Sequence, residues 1–512
     1  MSEGQQQPLD LSEDAATLQH NGDLSQCVTK LRALQRHLMD IDRWQLSGSV
    51  LWNVCGVIRV EEGKWRDEGV GQPPLSSLEV VSAALCCVRN AMPNCARNQQ
   101  LVAETEDLLN PIISCIQWTF KTPDPAQPAE DPPEDSVREA ESGDVEEDER
   151  RKAYSTLAIS CVTCLGNLVA ANPKTRRIVW PHFKSLLEDV LVFWDKEVAQ
   201  ASTMILHNCL LEAEVKEDLC KCPAGKEVLT QLLTLYEAET KYSCFVLLAL
   251  EVLLAAEGFL QDAWGGLPEG QQCLCLEVVE AGLTHTSKPL SSPQGTPILK
   301  FLVGFFKTQA DRILRTHADW PGPDSAQVLA KLVNFTCAVA ASDTWRHTLQ
   351  QDRSLLVTSV ALLQCMHEIG KMGSNAFTPL DRFTDLDDEA QMSQAEQHPA
   401  FGFKCDLIRL IASLVHLNSP NQDLVREMDG LLLILESSKF DARNPLIKEA
   451  SIFALRNLLE GNLENQRCIG ELRMEGVAEN PGLAELGMQA VQEGGEGEDC
   501  TAASFTQRFT PS

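Results

Sequence analysis

Four stretches of this chain repeat one pattern at fixed offsets, and no other feature limits its fold as much. Each is a Leu-rich run ending in Asn or Ser. A polar pair follows, its second member nine positions later, and an apolar pair stands eleven and twelve positions later. Asn90 leads to Asn98-Gln99 and Leu101-Val102, and Asn167 leads to Thr175-Arg176 and Ile178-Val179. Ser413 leads to Asn421-Gln422 and Leu424-Val425, and Asn457 leads to Asn465-Gln466 and Cys468-Ile469. Weaker copies surround Asn208 and Asn334. Ser413 and Asn457 lie 44 residues apart, inside the roughly 40–47 residues of armadillo and HEAT units. One such unit cannot bury its faces alone, so units must stack. The pattern predicts an all-α chain: an armadillo/HEAT-like right-handed helical solenoid with a disordered acidic insert and disordered tails.

Apolar residues at three- and four-residue spacing support the helical reading. They mark Ser76–Asn90, Tyr154–Val169, Leu186–Leu211, Glu227–Ala256, Leu329–Ala340, Leu355–Met366, Cys405–Val415 and Pro445–Leu459, and no long alternating run competes with them. In each repeat, the Leu-rich helix is expected to face the core. Its final Asn would bond carbonyls freed near the helix end, and the Asn opening the polar pair would cap the next helix. Asn90, Asn167, Ser413, Asn457, Asn465 and Gln466 are therefore the candidate repeat-motif and interaction residues. The organisation expected is a disordered 1–25, N-terminal repeats over 26–120, an acidic Pro-rich linker over 121–152, middle repeats over 153–368, a loop over 369–402, a C-terminal domain over 403–484 and a disordered tail over 485–512.

Net charge is −30 for the 512 residues. That sign repels phosphate backbones and anionic lipid, which counts against nucleic acid and membrane surfaces as partners. Segments 1–25, 121–149, 369–402 and 473–512 carry −5, −10, −4 and −5, so only −6 is left for the repeats. The strong field belongs to the segments outside the repeats and does not imply a basic ligand in a groove. The first 25 residues have no basic or apolar stretch, and the longest apolar run, Cys244–Ala256, is too short to span a bilayer and contains Glu251. The expectation is a soluble cytoplasmic protein, without membrane insertion, whose 19 cysteines are mostly small buried hydrophobes.

The chain lacks GxGxxG, GxxxxGK[ST], GxSxG and HExxH. No enzyme activity and no cofactor are expected. Cys161/Cys164, Cys220/Cys222 and Cys273/Cys275 have CxxC or CxC spacing, but a structural zinc needs four ligands, usually two such pairs close together. Cys161 and Cys164 fall within a helix, so core packing is the reading. Cys220 and Cys222, beside Pro223, are the more exposed pair. His207 reads as a core histidine, and Thr510-Pro511 is a weak proline-directed phosphosite. Adaptors that carry basic localisation peptides grip them with Trp-x-x-x-Asn ladders, through cation–π contacts and amide clamps. No Trp here has Asn four residues later. An importin-alpha-like transport or regulatory adaptor is thus the disfavoured alternative.

Residues 403–435 (FKCDLIRLIASLVHLNSPNQDLVREMDGLLLIL) and 444–472 (NPLIKEASIFALRNLLEGNLENQRCIGEL) resemble the C-terminal domain of the ataxin-10 family. Residues 84–101 and 163–179 resemble that family's N-terminal repeats. One departure is Ala450 in Lys448-Glu449-Ala450, where the family carries Trp. The resemblance implies a non-enzymatic, armadillo-like scaffold linked to neuron survival, neurite outgrowth through Ras–MAP kinase signalling, and cytokinesis. It also implies self-association, with the G-protein beta subunit and O-GlcNAc transferase as protein partners. The locations it implies are cytoplasmic and perinuclear, and at the centrosome or basal body and the midbody.

Overall fold

A computed structural model of the chain describes residues 24–39, 48–67, 73–122, 140–238, 242–284, 292–316, 323–373, 375–381, 389–472, 488–492 and 503–507. It forms two compact units, Met1–Ala263 and Trp264–Ser512. The boundary falls inside the segment expected to be one block of middle repeats.

In the first unit the helices are α1 (Leu24–Met39), α2 (Gly48–Asp67), α3 (Leu75–Asn90), α4 (Ala96–Glu104), α5 (Glu106–Lys121), α6 (Ala140–Val169), α7 (Pro173–Lys184), α8 (Leu187–Leu191), α9 (Lys196–Leu210), α10 (Ala213–Lys221), α11 (Ala224–Tyr236) and α12 (Ser243–Leu254), with α13 (Phe259–Trp264) running to the boundary. The second unit holds α14 (Glu269–Thr284), α15 (Ser292–Thr316), α16 (Pro323–Ala341), α17 (Asp343–Gln350), α18 (Arg353–Lys371), α19 (Glu389–Gln397), α20 (Phe403–Val415), α21 (Ser419–Glu427), α22 (Gly430–Glu436), α23 (Ile447–Leu459) and α24 (Leu463–Gly470).

Several of the helices group in threes, as in armadillo units. In several groups a short helix is followed by a second helix and then by a longer one that packs on the longer helix of the preceding group, for example α4, α5 and α6 or α21, α22 and α23. Inner helices pack side by side: α1, α3, α6, α9 and α12 in the first unit, and α14, α16, α20 and α23 in the second. The all-α, armadillo-like reading holds. Apolar residues at helical spacing explain the packing: Leu407, Ile408, Leu410, Ile411 and Leu414 of α20 are wholly buried. Each such side chain contributes about 1.5–3 kcal/mol of burial.

Several expected boundaries are corrected. The run Leu186–Leu211 is two helices, because Asp195 caps α9, its Oδ1 accepting from the N–H groups of Glu197 (2.9 Å) and Val198 (3.3 Å). Glu227–Ala256 likewise divides into α11 and α12. Of the N-terminal segment expected to be disordered, 1–23 lie outside the described residues, and α1 begins at Leu24. The acidic linker is helical from Ala140, where acidic residues suit the first turns of a helix and Asp148 pairs with Lys152 at 2.6 Å. Residues 123–139 lie outside the described residues. The expected loop over 369–402 contains the end of α18, an ordered hook at 375–381 and α19. In the expected disordered tail, β1 (Met488–Gln492) pairs antiparallel with β2 (Ala503–Gln507), Met488 opposite Gln507. Val491, Phe505 and Thr506 favour that pairing, and two five-residue strands are too short to stand out in an otherwise polar stretch. Among the described residues, no helix is long and apolar enough to cross a membrane.

Candidate functional site

The repeated polar residues meet where one repeat joins the next. Asn167 Nδ2 donates to the Arg89 carbonyl on the preceding inner helix (3.1 Å), and Asn457 Nδ2 does the same to Ala412 (3.0 Å). Asn90 reaches back to the Gln35 carbonyl at 3.5 Å. The final Asn thus bonds the preceding repeat and leaves its own helix end to other groups. At Ser413 no amide is available. There Gln350 Nε2 takes the carbonyls of Ser413 (3.3 Å) and His416 (2.8 Å).

The polar pair works differently from the expectation. Its first member does not cap a helix. Asn98, Asn421 and Asn465 each donate to a carbonyl seven residues back, those of Ala91, Leu414 and Leu458, at 2.8–2.9 Å. Thr175 does so to Leu168 (2.6 Å). The caps are Asn172, Asn418 and Asn462, whose side chains accept the N–H of Thr175, Asn421 and Asn465. These asparagines stand five positions after Asn167, Ser413 and Asn457. That spacing could have been found in the sequence and was missed.

The second member ties successive repeats. Gln99 Nε2 donates to the carbonyls of Asn167 (2.7 Å) and Ala170 (2.9 Å) at the end of the following inner helix. Gln422 Nε2 repeats this with Asn457 (2.8 Å) and Glu460 (3.2 Å). Arg176 instead bridges to Glu212, just past the end of α9, at 2.9 Å. Gln466 has no described repeat after it and turns back to the Leu459 carbonyl (2.7 Å). Asn457 and Asn465 are buried, Asn90, Asn167 and Ser413 are half-buried, and Gln466 is exposed. Thr510 lies outside the described residues.

The turn before each cap carries a residue in the left-handed region: Asn94, Ala171, Leu417 and Gly461 have φ of 55°, 52°, 50° and 72°. Leu417 is 73% exposed there. A left-handed non-glycine residue costs about 1–2 kcal/mol, and the added chain entropy of glycine offsets about half of that. Leu417→Gly is expected to raise the unfolding free energy by about 0.5–1 kcal/mol, read from the urea midpoint; a lower midpoint would show that the exposed leucine packs usefully.

The thiols are placed for packing. Cys161 and Cys164 are buried in α6, and burial pushes both well above the ordinary thiol range. Cys115 and Cys161 face each other at 3.8 Å. Burial raises Cys220 to about 11, and Cys222 Sγ donates to the Leu219 carbonyl (3.1 Å). Burial lowers the pKa of His207. No group of three or more His, Cys, Asp or Glu side chains among the described residues is arranged to hold a metal. Ala450 is buried in α23.

A buried clasp opens the C-terminal repeats. Asp441 accepts from the N–H groups of Leu380 (3.1 Å) and Arg443 (3.0 Å) and from Asn444 Nδ2 (2.7 Å). Lys404 Nζ lies 3.8 Å from Asp441 and donates to the Phe377 carbonyl (3.0 Å). Burial pushes the Lys404 ammonium below the usual lysine range, and Asp441 pulls it partly back.

The repeats that begin at this clasp are also where comparison with known proteins is most specific. The Spinocerebellar ataxia type 10 protein domain matches residues 403–498. Ataxin-10 of Xenopus tropicalis is 28% identical over 416 residues, 80% of this chain and 78% of that protein. Human Ataxin-10 is 25% identical over 436 residues, 84% of this chain and 83% of that protein. The Ataxin-10 homolog of Dictyostelium discoideum is 49% identical over a shorter 88 residues, 17% of this chain and 14% of that protein. Similarity thus runs through both units and the family's domain falls on the last repeats, which supports the ataxin-10 family as this chain's relatives.

Proposed function

We propose that this chain is a non-enzymatic, armadillo-like scaffold that gathers proteins in cytoplasmic signalling. The setting is that implied by the family resemblance: neuron survival, neurite outgrowth through Ras–MAP kinase signalling, and cytokinesis. Its partners on this reading are other copies of itself, the G-protein beta subunit and O-GlcNAc transferase. Its places of action are the cytoplasm and perinuclear region, the centrosome or basal body, and the midbody.

One observation carries the interaction reading. Leu417, Phe440, Leu446, Ile452, Phe453 and Leu463 are 49–79% exposed on the C-terminal repeats. Grouped apolar exposure of this kind suits protein contact. The adaptor alternative needs free amides along a groove, whereas Asn167 and Asn457 already bond backbone carbonyls of the preceding repeat. Self-association is assigned to the C-terminal repeats. Sedimentation of the full chain is expected to give an oligomer, and Leu432→Glu with Phe440→Glu, both at exposed sites, is expected to shift it toward monomer. An oligomer of unchanged mass would sink that assignment.

A further inference from the structure

We propose that Thr378 is a phosphorylation site for a proline-directed kinase, and that a phosphate there releases the hook at 375–381 from the C-terminal repeats. The proposal concerns control of the second unit and stands apart from the scaffold reading.

The first observation is the chemistry of the site. Thr-Pro or Ser-Pro occurs at Thr122, Ser292, Thr296, Thr378, Ser419 and Thr510. Ser292 and Thr296 lie in α15 and Ser419 lies in α21, where the backbone is already coiled. A kinase cleft takes its substrate extended, and a residue before proline is biased to that form. Pro123 and Thr510 lie outside the described residues. Thr378-Pro379 is described, lies outside any helix, and sets a half-buried threonine beside an exposed proline. In the transfer, Thr378 Oγ1 attacks the γ-phosphorus of ATP and one O–P bond forms. The bond from that phosphorus to the bridging oxygen breaks, ADP leaves, and the hydroxyl proton passes to the catalytic aspartate of the kinase.

The second observation is what the hydroxyl does. Thr378 Oγ1 accepts the Asn375 N–H (3.0 Å) and donates to the Gly373 carbonyl. It closes a turn in which the Thr378 N–H donates to the Asn375 carbonyl (3.2 Å). That turn sets Phe377 and Leu380 into the unit, where both are buried. The Leu380 N–H donates to Asp441 (3.1 Å), and its carbonyl accepts the Ala442 N–H (2.9 Å). A phosphoester oxygen has no hydrogen to give Gly373. The phosphate also brings roughly two negative charges to a point two residues from the amide that Asp441 holds, and like charges there disfavour the docked hook. Among the described residues, no cation bonds Thr378 to hold the phosphate in place.

A third residue gives an independent handle on docking. Gly370, buried in α18, lies under the hook, and a Cβ built on it would meet the Phe377 carbonyl oxygen at 2.5 Å. Gly370→Ala therefore pushes the hook outward without changing the residues that a kinase reads. If phosphate and docking oppose each other, displacing the hook must also favour the phosphate.

The test incubates the full chain with an active proline-directed serine/threonine kinase and magnesium ATP, beside a free peptide of residues 373–382, and locates phosphate by mass spectrometry. Both are expected to be modified at Thr378, the peptide faster. Failure to modify the peptide, or a modified peptide with no phosphate at Thr378 of the chain, overturns the site. In the phosphorylated chain the Leu380 and Ala442 amides are expected to exchange at least about tenfold faster; unchanged exchange overturns the release. Thr378→Val treated the same way is expected to show no further acceleration, and acceleration there would move the effect to another site and overturn the assignment. Gly370→Ala is expected to speed phosphorylation of Thr378 about three- to tenfold, with circular dichroism matching the parent. A rate equal to the parent's would mean that docking does not guard the threonine, which also overturns the proposal.

Discussion

Asp441→Ala is expected to lower the unfolding free energy of the second unit by about 3–5 kcal/mol, the cost of removing one partner from a buried ion pair. Lys404 and Asp441 have side chains only 6% and 5% exposed. The carboxylate also satisfies two backbone N–H groups and the Asn444 amide. Asn444 in turn accepts the N–H of Lys404 (3.0 Å) and of Cys405 (3.3 Å) at the start of α20. One substitution therefore loosens the hook at 375–381, the turn before α23 and the first turn of α20. The measurement is the urea midpoint for loss of helix in the second unit, followed by hydrogen exchange of its amides. A loss under about 1 kcal/mol would show that the clasp does not carry this load.

The pH dependence follows with a definite sign. Lys404 already has a depressed pKa, chiefly from burial. Without Asp441 the depression deepens. The folded state then binds fewer protons than the unfolded state between that lowered value and about 10.4, so stability rises with pH across the window. Asp441→Ala is expected to regain stability between pH 7 and 9.5 more steeply than the parent. Adding Lys404→Met is expected to recover part of the loss and abolish that extra slope. The recovery is incomplete because the N–H groups of Leu380 and Arg443 stay unpaired.

The clasp also shows where the sequence stops being readable. Asp441 and Leu380 are 61 residues apart, and nothing periodic connects them, so the segment around Phe377 reads as a polar loop. Phe377 is buried against Phe403, ring centroids 6.2 Å apart. The repeat junctions were legible for the opposite reason. A bond made between equivalent atoms of successive repeats imposes a constant offset, and the offset can be counted. Counting gave the positions Asn90, Asn167, Ser413 and Asn457 and the polar pairs but not their roles, because an offset does not say which carbonyl an amide chooses. The caps at Asn172, Asn418 and Asn462 share an offset too, and were visible on the same terms. The break before α9 depended on a single aspartate, Asp195, which no period marks.

Gln422→Leu and Gln466→Leu separate the two jobs a repeat glutamine can do. They change the same residue at the same offset, one with a described repeat after it and one without a described one. Gln422 is 1% exposed, and its loss leaves the Asn457 and Glu460 carbonyls without their donor. At about 1–3 kcal/mol per buried unpaired group, with partial relaxation at exposed Glu460, the expected cost is about 2–3 kcal/mol. Gln466 is exposed and holds only Leu459, so its replacement is expected to stay within about 0.5 kcal/mol. Neighbouring repeats stabilise one another mainly through their shared interface, so the Gln422 cost should appear as local opening. Amides of 447–470 are expected to exchange faster in Gln422→Leu, while those of α20 keep their protection. Equal costs at 422 and 466 would refute the tie between repeats, because both would then act only within their own helix. Faster exchange spread evenly over the second unit would mean that the last repeat unfolds only with the rest, and that the glutamine contributes to general stability without coupling one repeat to the next.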